Sequence, residues 1–175
     1  MIYKTKFLKH KRNLEFYLAL IVLLATLILS MAAYVFWYEL LFFVGSYLFI
    51  HWLGIIATIF IAVFPPIYYV LKRTRPQSIR ILLKLHVFGN LFAFLLVSIH
   101  FAQNLARLAG FLQRLGDGLA LYLVLLLIVT TGILDRYQTR GKLHRCTKFI
   151  HKYTVIILYL IMLIHVLEGF NILIL

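Results

Sequence analysis

The sequence predicts an all-α membrane protein with five transmembrane helices in a single domain. Of its 175 residues, 64% are hydrophobic and only 13% are charged, and the mean hydropathy is +0.99. A water-soluble domain of this length needs a much larger polar share to cover its surface. The apolar residues also form five long runs, and no repeat or linker divides the chain. We therefore expect residues 1–175 to form one helical transmembrane domain.

Each of the five runs is long enough to cross about 30 Å of hydrocarbon as a helix. The first, 14–34, follows a basic segment as a signal peptide would, but its length favours a retained helix. The second, 46–71, contains Pro65 and Pro66 near one end, where we expect the helix to kink or stop. The third, fourth and fifth runs cover 79–105, 118–134 and 148–170.

The basic residues alternate between the two sides of the predicted bundle. Five lysines and arginines precede the first span, five lie between the second and third, and six lie between the fourth span and the start of the fifth. Only Arg107 and Arg114 fall on the other side. The positive-inside rule then predicts a multi-pass protein of the cell membrane, with a cytoplasmic N-terminus and an external C-terminus.

The net charge of +13 does not indicate a nucleic-acid-binding protein. Its basic residues form short clusters between apolar runs instead of lining one polar face, so contact with anionic lipid is the expected role. The single cysteine, Cys146, excludes an intramolecular disulfide and a cysteine-bound metal cluster.

Two stretches in the third and fifth spans point to a function. "LHVFGNLFAFLLVSIH" contains His86 and His100, and "HKYTVIILYLIMLIH" contains His151 and His165. Fourteen residues turn an α-helix by about 1400°, some 40° short of four turns, and rise about 21 Å, so each pair shares one helix face. One helix separates the two spans, so both run in the same direction. His86 should therefore lie level with His151, and His100 with His165.

Two imidazole pairs at two depths on parallel helices can hold two haem groups with bis-histidine ligation. Ionisable residues inside membrane spans are functional candidates because their burial is costly. Gly89 and Gly169, each one turn from a ligand, leave room for a macrocycle, and Arg107 on the face of His100 is a candidate partner for haem propionates. The predicted cofactor-binding residues are His86, His151, His100, His165, Gly89 and Arg107; the four histidines are the predicted iron ligands.

The remaining histidines suggest less specific roles. His51 has no partner at a matching spacing and is expected to pack or to lie at the membrane interface. His10 and His144 lie in basic segments and are expected to be solvated. His144 is also a candidate for a proton-carrying group, because it lies seven residues before His151 on the same face.

The third and fifth spans resemble the ferric-reductase-like transmembrane domain, a family of di-haem membrane cytochromes. The resemblance rests on "KLHVFGNLFAFLLVSIH" and "LHRCTKFIHKYTVIILYLIMLIH" and covers about half the chain, residues 84–165. It implies two haem groups between the third and fifth helices and a cytoplasmic N-terminus. Cytochrome b subunits of quinol-oxidising complexes use a similar histidine spacing. The sequence departs from the family pattern because the chain ends soon after its fifth span, where the family commonly has a sixth.

These observations predict a di-haem b-type cytochrome that transfers electrons across the membrane as a subunit of a larger respiratory or redox complex. The sequence contains no glycine-rich dinucleotide fingerprint, so we expect no flavin or NAD in this chain and an electron donor that is a quinol or another protein. Redox subunits and lipid are the expected partners, and a quinone is a further candidate cofactor.

Two alternatives remain open at this point. The chain could be a quinol oxidoreductase or metal reductase in its own right, with its substrate at a haem edge near Asn90, Asn104 or Gln103. It could also be a haem-free structural or assembly subunit whose histidines form hydrogen bonds across helix interfaces.

Overall fold

The structure, a computed structural model, describes residues 2–108, 116–137, 141–170 and 172, with side chains from Leu14 onward. The basic residues and His10 before Leu14, together with Arg114 and Arg140, lie outside the described side chains. Five α-helices account for most of the described chain: α1 (Ile2–Val35), α2 (Phe49–Thr74), α3 (Ile79–Arg107), α4 (Gly116–Tyr137) and α5 (Lys142–Gly169). Between α1 and α2 lie a 3-10 turn (Trp37–Leu40) and a short antiparallel hairpin of β1 (Phe43–Val44) and β2 (Tyr47–Leu48).

The predicted fold class, an all-α membrane protein with five transmembrane helices, is confirmed. Among the described residues, five helices are long and apolar enough to cross a membrane, including the part of α1 from Leu14 to Val35. Many large apolar side chains are exposed along their outer surfaces, such as Ile21, Ile59, Phe92 and Leu160. Such a surface is stable in hydrocarbon and unstable in water. The five long apolar helices are compatible with a multi-pass membrane protein.

The predicted start of the second span is wrong by three residues. Residues 46–48 belong to the hairpin, and α2 begins at Phe49. The turn of the hairpin contains Gly45 at φ +63°, a conformation that glycine adopts at little cost. The indole of Trp52, one turn into α2, donates a hydrogen bond to the backbone oxygen of Val44 at 2.8 Å and fixes the hairpin on the helix end.

The two prolines do not end α2, which continues through Pro65 and Pro66 to Thr74. Pro65 has no N–H to donate to the carbonyl of Ile61, four residues earlier. The hydroxyl of Tyr159 in α5 donates to that oxygen at 2.6 Å and replaces the missing bond. Inside a membrane, such a partner from a neighbouring helix is what allows proline within a span.

Helix α3 lies at the centre of the bundle. Its backbone packs closely against α1, α2 and, less extensively, α4, while α4 packs against α5; α3 and α5 are not among the closely packed pairs. Side chains of the two helices nevertheless meet in one buried cluster that contains Ala93 of α3 and Leu158 of α5. Ala93 lies midway between His86 and His100, and Leu158 lies midway between His151 and His165. The two histidine-bearing faces are therefore turned toward each other, with an apolar layer between the two levels.

One ion cluster joins three helices at the end of the bundle that holds His86. The carboxylate of Glu15 in α1 is 3.1 Å from Nζ of Lys84 in α3 and 2.9 Å from Nη2 of Arg136 in α4. Only 12% of the Glu15 side chain is exposed, so two cations compensate a nearly buried anion. This cluster places Glu15 of α1 and the end of α4 level with the first part of α3.

Candidate functional site

The structure brings the four predicted ligands together as two pairs at opposite ends of the bundle. The rings of His86 and His151 lie close enough for an electrostatic interaction. His100 and His165 interact in the same way and line one cavity together with Asp117. We name the first pair the Thr131 site and the second the Asp117 site, after the α4 residue that contacts the α5 histidine of each pair.

Helix α4 supports both α5 histidines through two residue pairs that are fourteen positions apart. At the Asp117 site, Asp117 Oδ2 is 2.7 Å from Nδ1 of His165, and a Cβ placed on Gly118 would lie 3.5 Å from Cε1 of that ring. At the Thr131 site, Thr131 Oγ1 is 3.2 Å from Nδ1 of His151, and a Cβ on Gly132 would lie 3.1 Å from Cε1. The Asp117-Gly118 and Thr131-Gly132 pairs are thus as far apart in the sequence as the two histidines that they contact.

Helix α2 supports the α3 histidines with the same spacing. Gly54 lets the ring of His100 approach the α2 backbone, since a Cβ there would lie 3.3 Å from the imidazole. Fourteen residues later, the ring of Tyr68 stacks on His86 with centroids 4.4 Å apart and planes 14° apart. Helices α2 and α3 are antiparallel, and so are α4 and α5. Because the histidines and the residues that contact them are all spaced by fourteen positions, each of the four helices contributes residues to both sites.

The hydrogen bonds fix the proton position on three of the four imidazoles. Nδ1 of His165 faces the Asp117 carboxylate, Nδ1 of His100 is 2.9 Å from the backbone oxygen of Ile50, and Nδ1 of His151 is 3.1 Å from that of Ile128. A carbonyl or carboxylate oxygen can only accept, so each Nδ1 carries the proton. Nε2 is then unprotonated and presents its lone pair, the arrangement in which histidine binds a metal.

His86 differs from the other three. The amide of Asn90 donates to the backbone oxygen of His86 and also lies 3.1 Å from its Nδ1. Nδ1 is then the acceptor, and the proton lies on Nε2. Ligation through Nε2 requires this proton to move to Nδ1 and the Asn90 amide to turn away. The second copy of this His-x-x-x-Asn pattern, His100 and Asn104, has a longer contact of 3.4 Å to Nε2.

The residues fit haem as ligands, and the space beside them is partly filled by side chains. Within the described residues, no three His, Cys, Asp or Glu side chains converge on one point, but a haem iron needs only two protein ligands. The cavity at the Asp117 site has a volume of about 120 Å³, whereas small-molecule pockets usually have about 300–1,000 Å³. Phe101 and Tyr122, which line it, stack with centroids 4.2 Å apart. Admission of a macrocycle requires these two rings to move.

The glycines predicted to leave room for haem lie in different surroundings. The space beside Gly89 is filled by the ring of Phe60, because a Cβ at Gly89 would clash with Phe60 Cζ. A Cβ at Gly169 would meet no described atom within 4 Å. At the Thr131 site, then, haem would lie against Gly89 only if Phe60 rotated away.

Arg107 lies at the Asp117 site, within electrostatic range of His100, and donates a 2.8 Å hydrogen bond from Nη2 to Oδ1 of Asn104. His51, expected to pack or to lie at the membrane interface, lies next to His100 with ring centroids 6.1 Å apart. Nδ1 of His144 lies 2.7 Å from Oδ1 of Asp135.

Sequence reasoning missed the supporting residues on α4 and α2. Their signal was present, because Asp117-Gly118 and Thr131-Gly132 repeat with the spacing of the α5 histidines, and Gly54 and Tyr68 repeat with that of the α3 histidines. Glycines and a threonine in an apolar span are usual packing residues, so the repeat has meaning only once the antiparallel register of α4 and α5 is known.

Comparison of the chain with protein-family models, with curated proteins and with solved structures finds no match.

Proposed function

We propose that the protein is a di-haem b-type membrane cytochrome, similar to the ferric-reductase-like transmembrane domain, that transfers electrons between the two membrane surfaces. One observation carries the proposal: two pairs of membrane-embedded histidines face each other at two levels, and three of the four rings carry their proton on Nδ1, so that Nε2 is unprotonated.

The chain's own residues would bind and orient the cofactor. His86 and His151 would hold one haem, and His100 and His165 the other, while haem itself supplies a one-electron couple. Two histidine ligands leave no open iron position, which favours electron transfer over oxygen chemistry. The layer of Ala93 and Leu158 separates the two levels and keeps water out between them. Arg107 and, at the other end, Lys84 and Arg136 are candidate partners for propionates.

We place the Thr131 site at the cytoplasmic surface, because the basic clusters around it follow the positive-inside rule. The described residues contain no second redox group. We therefore propose that the chain works with other redox subunits, and that its exposed apolar helix faces contact those subunits or lipid. A quinol at a haem edge remains the candidate donor if no protein partner is found.

The proposal is tested by an absorption spectrum of the full chain, produced with haem supply and purified in mild detergent. We expect the sharp reduced-minus-oxidised bands of low-spin b-type haem and two haem groups per chain in a pyridine haemochrome assay. A variant with all four ligand histidines replaced by alanine is the control and should contain none. A folded wild-type chain without haem would contradict the proposal and support a structural role.

A further inference from the structure

The two α5 histidines donate to chemically different groups, although their surroundings repeat. Nδ1 of His165 faces the carboxylate of Asp117 at 2.7 Å, with no other acceptor described. Nδ1 of His151 lies between two neutral acceptors, the backbone oxygen of Ile128 at 3.1 Å and the hydroxyl of Thr131 at 3.2 Å. The Thr131 hydroxyl donates to the backbone oxygen of Leu127, so only its lone pairs face His151.

A carboxylate that accepts from a histidine ligand makes the imidazole a stronger electron donor than a neutral acceptor does. The effect is transmitted through a short, charge-assisted hydrogen bond. More electron donation stabilises ferric over ferrous iron, and hydrogen bonding to the axial ligand is one of the means by which a protein sets a haem potential. Asp117 also lies in the first turn of α4, where the helix dipole stabilises a negative charge.

The other charges near the two sites do not cancel this difference. Arg107 is within electrostatic range of His100 and would raise the potential at the Asp117 site. Its side chain is exposed and bound to Asn104, however, whereas the Asp117 carboxylate contacts the ligand ring directly. At the Thr131 site, Lys72 is within electrostatic range of His86 and would raise the potential, whereas Asp135 is within range of His151 and would lower it. Asp135 contacts His144 and not a proposed ligand, so it lacks the direct hydrogen bond that Asp117 has.

We propose that Asp117 is a positioning residue that makes the His100–His165 haem the lower-potential haem of the two. This inference rests on the proposed function, because it requires haem at both sites. One electron shared by the two haem groups then lies mainly at the Thr131 site, whose iron is ferrous while the iron at the Asp117 site is ferric. Transfer from the Asp117 site to the Thr131 site is therefore the downhill direction in the absence of a membrane potential.

The experiment is an optical redox titration of the purified full chain and of reciprocal variants. Asp117→Thr gives the Asp117 site the hydroxyl of its counterpart, and Asp117→Asn removes the charge with little change in shape. Thr131→Asp gives the other site a carboxylate. Parallel titrations in the His86→Ala background, which leaves one intact ligand pair, assign the lower midpoint to the His100–His165 haem.

We expect Asp117→Asn and Asp117→Thr to raise the lower midpoint potential by about 59 mV, which is a tenfold change in the reduction equilibrium of a one-electron couple. Both variants should retain two haem groups. Thr131→Asp should lower the other midpoint by a similar amount. If the Asp117 variants lose haem, the inference is still tested by the midpoint shift in Thr131→Asp and by the assignment of the lower midpoint in the His86→Ala background. A higher midpoint at the His100–His165 haem, or no shift in any variant, would overturn the inference and leave the di-haem proposal intact.

Asp135→Asn provides the matched control. Asp135 lies on the same helix and pairs with His144 at 2.7 Å, the same distance as the Asp117–His165 pair, but His144 is not a proposed ligand. Its replacement changes the net charge equally and should leave the midpoint of the His100–His165 haem unchanged. A shift there equal to that of Asp117→Asn would show that bulk charge, not the hydrogen bond, sets the potential. A chain that binds no haem at all would overturn both proposals together.

Discussion

At the Asp117 site, both histidines donate from Nδ1 to fixed acceptors, the carboxylate of Asp117 and the backbone oxygen of Ile50. At the Thr131 site, only His151 does so, while His86 accepts from Asn90 and stacks on Tyr68. Both Nε2 atoms of the Asp117 site are therefore unprotonated, and only the long 3.4 Å contact from the Asn104 amide to His100 must break, whereas the Thr131 site must first move a proton and an amide. The comparison shows that a repeated helix register places ligands at equal depths, while individual side chains decide how ready each site is.

The largest expected difference between the two sites is their accessibility from the two sides of the membrane. Cys146 is exposed and lies five residues before His151, so its accessibility reports the side of the Thr131 site. A membrane-impermeant thiol reagent should label Cys146 in inside-out vesicles and leave it unlabelled in intact cells. In a Cys146→Ser background, Glu168→Cys at the other end of α5 should give the opposite pattern. Labelling of Cys146 in intact cells would reverse the proposed orientation.

The next largest effect is expected from the two α4 glycines. Gly132→Ala places a Cβ 3.1 Å from the ring of His151, tighter than ordinary contact, whereas Gly118→Ala places one 3.5 Å from His165, within the ordinary range. We expect Gly132→Ala to remove more than half of the haem at the Thr131 site, because overpacking costs about 1–3 kcal/mol. Gly118→Ala is the matched control and should retain its haem. Equal retention in both variants would mean that the glycines do not position the rings.

A smaller effect is expected from the ion cluster at the Thr131 end. Glu15→Gln leaves the charges of Lys84 and Arg136 without their shared carboxylate and should lower the free energy of unfolding by about 1–3 kcal/mol. Denaturation in mixed detergent micelles measures this. Glu39→Gln, an exposed residue in the 3-10 turn, should change it by less than about 0.5 kcal/mol. Similar stabilities for the two variants would contradict a structural role for the cluster.

The smallest effect is expected for Tyr159, which lies on α5 between the two sites. Tyr159→Phe removes the hydrogen bond to the backbone oxygen of Ile61 and should cost about 1 kcal/mol of unfolding free energy without altering haem content. Tyr153→Phe, exposed on the same helix, is the control and should cost nothing measurable. An unchanged Tyr159→Phe stability would mean that α2 tolerates Pro65 without this partner.

The sequence was sufficient to predict the five helices because length and hydropathy decide whether a segment spans a membrane. It misplaced the start of α2, since the apolar residues of the hairpin look like a continuation of the helix. It left open whether Pro65 and Pro66 end the helix, because the compensating hydroxyl of Tyr159 lies almost a hundred residues away. A local rule cannot include such a tertiary contact.

The histidine pairs could be proposed from spacing alone, because a fourteen-residue repeat keeps one helix face. The partners of those histidines could not. Asp117 and Thr131 are found only through the register of α4 against α5, and the proximity of His51 to His100 depends on how α2 packs on α3. Whether haem is bound stays a prediction.

The pairing of the ligands is the central claim, and haem content in double variants tests it most directly. His86→Ala with His151→Ala should leave one haem per chain, because both changes destroy the same site. His100→Ala with His165→Ala should also leave one, and His86→Ala with His165→Ala should leave none, because each change destroys a different site. One haem retained in the last variant, with none in either of the first two, would contradict the account.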